Sequence, residues 1–106
     1  MKDLENVLSK LGGSRCGLGY HFTKTVMELL LADENRFLNL YRQVYPEVAE
    51  IYHVKLYCVE RNIRTFIKNC YQKGNRSFLN EMARCEVDHM PSVKEFLDIL
   101  LNNLKK

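Results

Sequence analysis

Tyr57, Glu60, Arg61, Arg64, Thr65 and Lys68 follow one another at helical spacing, with Lys55 just before them and Lys73 just after. An arginine guanidinium carries paired donors that match the O6 and N7 acceptors of guanine, and a lysine ammonium neutralises a phosphate whatever the sequence beside it. A glutamate accepts from the amino group of cytosine, or orients a neighbouring arginine. The aromatic ring of Tyr57 suits either a thymine methyl or packing within the protein. Charge is concentrated here: residues 53–76 hold six basic side chains against Glu60 alone, while the whole 106-residue chain has a net charge of only +3. A local cationic surface on a nearly neutral chain points to a polyanion. The competing reading is a solvated helix face, on which Glu60 and Arg64 form an i, i+4 ion pair.

Holding these side chains on one surface requires a helix. At about 100° per residue, Val59, Ile63, Phe66, Ile67 and Cys70 fall on one arc, and Tyr57, Arg61, Arg64, Thr65, Lys68 and Gln72 on the opposite one. The periodicity predicts a helix over 56–73 that ends at Gly74-Asn75. A shorter helix over 46–52 precedes it, with Pro46 in its first turn and Val48, Ala49 and Tyr52 facing inward. The two make a helix-turn-helix over about 46–73, although the turn at 53–55 lacks the glycine frequent in such motifs. Leu4, Val7, Leu8 and Leu11 predict a first helix over 2–11, stopped by Gly12 and Gly13, and 14–19 reads as a loop. A helix over 20–32 carries Phe22, Val26, Leu29 and Leu30, widened by Tyr20, Met27 and Leu31, and is expected to be the most buried. Asp33 is placed as the cap of one continuous helix bearing Phe37, Leu38, Leu40, Tyr41 and Val44. Ser77 is placed as the cap of a helix with Phe78, Leu79, Met82 and Ala83, and 85–90 is an acidic loop. Ser92 and Glu95 form a capping box at the head of a last helix, whose stripe is Val93, Phe96, Leu97, Leu100, Leu101 and Leu104. Lys105 and Lys106 complement its C-terminal dipole.

The expected fold is therefore all-α: one compact domain over 1–106, of 46% hydrophobic and 27% charged residues. No stretch approaches the ~20 apolar residues of a membrane span, and the start lacks a signal-peptide pattern, so a cytoplasmic protein is expected. Cys16, Cys58, Cys70 and Cys85 include no CxxC pair, and His21, His53 and His89 no His-x3-His, so no metal, cofactor or disulfide framework is expected. There is no phosphate-binding glycine loop, no G-x-S-x-G and no carboxylate pair placed for general acid–base chemistry, which argues against an enzyme.

Four groups of residues resemble the C-terminal effector domain of the sporulation master response regulator, the stage zero sporulation protein A family. They are Gly19-Tyr20; Tyr45-Pro46 with Val48-Ala49 and Tyr52; Val59-Glu60-Arg61 with Ile63-Arg64 and Gly74-Asn75; and Pro91-Ser92 with Glu95-Phe96. The resemblance spans nearly the whole chain, and V-E-R-x-I-R is its most specific piece. It implies a six-helix-type domain whose helix-turn-helix binds double-stranded DNA in the major groove, with a role in transcription regulation and sporulation. It also implies Arg61 and Arg64 as base-reading residues; Lys55, Lys68 and Lys73 are assigned to phosphates by their charge, adding affinity without sequence information. Association in head-to-tail pairs on tandem DNA sites, from a monomer in free solution, is a further implication. The chain departs from the family where Tyr57-Cys58 replace Ser-Arg, where Tyr71 replaces a tryptophan, and in a shorter loop between Gly74 and Pro91; a stand-alone domain without a receiver is expected. The expected lack of a receiver and the Tyr57-Cys58 replacement support an alternative: a protein-interaction module that caps or competes with a full-length regulator.

Overall fold

The computed structural model describes residues 2–12 and 17–104, and every regular element among them is helical. In order they are α1 (Lys2–Lys10), α2 (Leu18–Ala32), a 3-10 segment (Glu34–Asn39), α3 (Leu40–Gln43), α4 (Tyr45–Tyr52), α5 (Leu56–Gln72), α6 (Arg76–Ala83) and α7 (Val93–Leu104). The α3 helix is a single turn, and the other six have eight or more residues, which is the all-α, six-helix-type arrangement expected. None of the described helices is long and apolar enough to cross a membrane. Gly13, Ser14, Cys16, Lys105 and Lys106 lie outside the described residues.

The pair α2 and α5 forms the centre, and α4, α6 and α7 lean on α5. The α2 helix buries Tyr20, Phe22, Val26, Met27 and Leu30, as its periodicity predicts, while Leu29 and Leu31 are only half-buried at its edge. It begins at Leu18, earlier than expected, so that Gly19 is helical and lies against α5. A Cβ at Gly19 would meet the Asn62 carbonyl oxygen and, at 2.7 Å, the Phe66 Cβ. A low-propensity residue is tolerated there because only glycine permits that approach. One residue on α2 is poorly served: the hydroxyl of Thr23 is fully buried with no hydrogen-bond partner among the described residues. Thr23→Val keeps the shape and removes the orphaned group, so it should raise the unfolding free energy by about 1 kcal/mol in denaturant titrations. An unchanged or lower midpoint would count against that account.

Two segments differ from expectation. Residues 34–43 do not form one helix. Asp33 accepts from the Asn35 N–H at 3.1 Å, and Asn39 accepts from the Arg42 N–H at 3.3 Å. Each side chain starts a new short element, so the chain turns twice where uninterrupted periodicity predicted once. Leu40 and Val44 are buried, but Leu38 is 78% exposed and Tyr41 54% exposed. Ser77 is not the cap of α6. Asn75 is, accepting from the Phe78 N–H at 3.1 Å, and its own N–H donates to the Leu11 carbonyl at 3.0 Å. That bond fixes the end of α1 to the start of α6. A Cβ on Gly74 would collide with the carbonyls of Leu11 and Cys70, so Gly74-Asn75 is a joint as well as a helix stop.

The capping box at α7 forms as predicted: the Ser92 N–H donates to Glu95 Oε1 at 3.0 Å and the Glu95 N–H to Ser92 Oγ at 3.1 Å. Arg76 ties the loop before α7 to the end of α5. Its guanidinium lies 3.5 Å from the Tyr71 ring centroid, and it donates to the carbonyls of Tyr71 at 3.1 Å and Val87 at 2.6 Å.

Candidate nucleic-acid interface

The turn into α5 is made without glycine. His53 adopts the left-handed conformation at φ 56°, the Val54 N–H donates to the Ala49 carbonyl at 2.9 Å, and the His53 N–H donates to the Glu50 carbonyl at 3.3 Å. This paired closure is a Schellman motif. Histidine is one of the residues that tolerate the left-handed region, so the missing glycine does not prevent a tight three-residue turn. Lys55 follows in an extended conformation as the N-cap of α5.

The α5 helix divides as its sequence predicts. Val59, Ile63, Phe66, Ile67 and Cys70 are buried, and Tyr57, Arg61, Arg64, Thr65, Lys68 and Gln72 are exposed. Two contacts restrain the arginines on this ridge. The Arg61 guanidinium lies over the Tyr57 ring, 5.7 Å from its centroid, and Arg64 pairs with Glu60 at 2.7 Å. Both leave donors available, since Arg61 is exposed and the Arg64 side chain is 66% exposed. Thr65 donates its hydroxyl proton to the Arg61 carbonyl at 3.0 Å, which leaves the oxygen's lone pairs as acceptors.

The structure thus gathers Tyr57, Arg61, Arg64, Thr65 and Lys68 on one ridge. Glu60 sits on the flank, half-buried, between ridge and core. Lys55 stands exposed at the start. Lys73 is exposed at the far end, as the C-cap, roughly 25 Å of helix away. On the helical wheel it falls about 160° from Tyr57, so it does not join the ridge.

Beside the Glu60 flank runs a cleft of about 540 Å³, whose lining includes Tyr41, Tyr45, Glu60, Arg64, Ile67 and Lys94. The sequence marks Tyr41 only as an apolar helix position and Tyr45 only within a family anchor, and gives Lys94 no role. The first turn of the last helix was visible in the capping box, but no periodic signal places that turn next to α5.

Tyr45 is buried, and desolvation, with the Glu60 carboxylate adding to it and Arg64 opposing, pushes its hydroxyl up to about 12. The folded state therefore favours the neutral phenol. The resulting stabilisation is complete below the unfolded value near 10 and is lost as pH rises from there through about 12. In a tyrosinate absorbance titration the native protein should show one late-ionising phenol, and Tyr45→Phe should remove it. A mutant curve identical to wild type above pH 10 would refute the assignment.

A family model described as sporulation initiation factor Spo0A C terminal matches residues 4–104. No curated protein matches the chain.

Proposed function

Because the chain belongs to the family of sporulation initiation factor Spo0A C-terminal domains, we propose that it binds double-stranded DNA sequence-specifically through α4 and α5 and regulates transcription linked to sporulation. The observation that carries the reading is the division of α5 into a fully packed arc and an opposed cationic ridge with an uncommitted edge. In this reading Arg61 and Arg64 reach guanine O6 and N7 from the major groove. Lys55 and Lys68 meet phosphates near the ridge, and Lys73 meets one at the far end of the helix. Glu60 acts through Arg64, since its carboxylate is engaged there at 2.7 Å. Tyr57 holds Arg61 over its ring and offers its own edge to a base or the backbone. Pairs of molecules on tandem sites, monomeric in free solution, belong to the same proposal, as do a cytoplasmic location and the lack of enzymatic activity. Selection from random duplexes, followed by titration of the selected site at several salt concentrations, tests it. A recurrent motif is expected, together with affinity that falls linearly in log–log form with salt. A flat salt response, or no preferred site, would reject the reading.

A second reading, an interaction module that binds a full-length regulator, rests on the exposed apolar surface of Tyr57 and Ile51 around the turn. It predicts that Tyr57→Ala abolishes complex formation while Arg64→Ala and Lys68→Ala leave it intact, because tyrosines are frequent interface hot spots.

A further inference from the structure

A helix with its side chains is about 10–12 Å across, and the major groove is about 12 Å wide. A helix seated in the groove therefore has a sugar–phosphate backbone along each flank. On the Glu60–Arg64 flank, α5 borders the cleft described above, and Arg64 belongs to both the ridge and the cleft. We infer that this cleft seats one phosphodiester backbone of the bound duplex, with Lys94 of α7 as its principal phosphate contact and the Tyr41 hydroxyl as a second donor. The inference rests on the DNA-binding reading and extends its footprint to α3 and α7.

The charges around the cleft favour this occupant. Glu60 is neutralised by Arg64 at 2.7 Å. Glu95 is taken up by the Ser92 N–H at 3.0 Å, and His89 Nε2 lies 3.7 Å from it. Lys94 is different: its ammonium lies 5.4 Å from the Phe37 ring centroid, a contact that steadies the group without cancelling its charge. Among the described residues no carboxylate pairs with it. Tyr41 is 54% exposed and stands edge-on to Tyr45 with ring centroids 6.0 Å apart, so its ring is braced while the residue remains open to solvent. A steadied cation and an exposed phenol beside the reading helix are the groups that position a protein on a duplex without reading its sequence.

Equilibrium titrations of the full chain with a selected duplex and with a scrambled one, at several salt concentrations, test the inference. Lys94→Met keeps an apolar stem over Phe37 and removes the charge. It should weaken both duplexes alike, several-fold, leave base preference unchanged, and flatten the log–log salt slope by about 0.9. Lys94→Arg should restore both values, and Lys24→Met, at the α1–α2 contact with Glu5, should change neither. If Lys94→Met leaves affinity and slope untouched while Arg61→Ala destroys site preference, the cleft contact is overturned and the DNA-binding reading stands. If the wild-type chain binds no duplex, both fall together.

Discussion

Replacing Gly19 by alanine should lower the unfolding free energy by about 2 kcal/mol and the melting temperature by roughly 10 °C. Two effects of opposite sign decide the result. Gly19 is inside α2, and alanine is the better helix former by about 1 kcal/mol, so propensity alone predicts stabilisation. Sterics oppose it. The added methyl would meet the Asn62 carbonyl oxygen of α5 and, at 2.7 Å, the Phe66 Cβ. Neither atom can swing away by a rotamer change, so relief requires α2 and α5 to separate along the broadest helix contact in the molecule. Overpacking of this kind costs about 1 to 3 kcal/mol and sometimes more, with a backbone contact at the upper end. The net effect is loss. Chemical denaturation of Gly19→Ala beside wild type checks the sign, and a mutant as stable as wild type would show that the two helices can part without cost.

Gly19 also shows which parts of the molecule are legible in the sequence. The arcs of α5 could be read directly, because a helix packed on one side imposes a period of 3.6 on its apolar residues and neighbouring segments do not alter that rule. The capping box of α7 was equally direct, since both partners are local. Gly19-Tyr20 was visible only as a family anchor, and Gly74-Asn75 as an anchor and a helix stop, but periodicity does not show the contacts that need these glycines. Their cause is tertiary: a close helix approach in one case, and in the other the hydrogen bond from the Asn75 N–H to the Leu11 carbonyl. The same bond explains why Asn75 rather than Ser77 caps α6, two residues of comparable capping strength being indistinguishable until a distant strut fixes one of them. The 34–43 segment misled for another reason. Its apolar residues suit a helix, yet Asn39 offers its carboxamide oxygen to the Arg42 N–H and restarts the chain there. Local side-chain competition with the helix is real in that sequence, but its outcome depends on where Leu40 and Val44 must go to be buried.

The candidate site divides along the same line. Tyr57, Arg61, Arg64, Thr65 and Lys68 share a ridge because they share a helix, and helical spacing suffices to find them. Tyr41, Tyr45 and Lys94 come from three other helices. They meet α5 only after the 3-10 segment, the one-turn α3 and the Arg76 clamp have set the positions of their helices, and no sequence window contains that information. The Glu60 side chain is intermediate: its pairing with Arg64 was readable as an i, i+4 contact, whereas its place between ridge and cleft was not.

Arg64→Ala should reduce affinity for the selected duplex by about 1 to 3 kcal/mol and relax discrimination at one base position, while Lys68→Ala should weaken every duplex alike and flatten the salt slope by about one. The difference follows from geometry on one ridge. Arg64 is held by the Glu60 carboxylate at 2.7 Å, so part of the conformational freedom it would lose on reaching a base edge is already gone. Among the described residues no carboxylate pairs with Lys68, which enters as a flexible point charge suited to phosphate. An exposed i, i+4 pair contributes only about 0.3 to 0.5 kcal/mol to folding, so Arg64→Ala should leave the melting temperature nearly unchanged. Binding and folding effects are therefore separable. Glu60→Gln supplies the complementary measurement: if the carboxylate orients Arg64, the substitution should loosen site preference by less than Arg64→Ala does, and it should have little further effect once Arg64 is alanine. Titrations of the three single variants and the Glu60/Arg64 double variant against matched and single-mismatch duplexes make the comparison. Additive losses from Glu60→Gln and Arg64→Ala would mean that the glutamate contacts a base on its own account, and equal losses on all duplexes from Arg64→Ala would move that arginine from the base edge to the backbone.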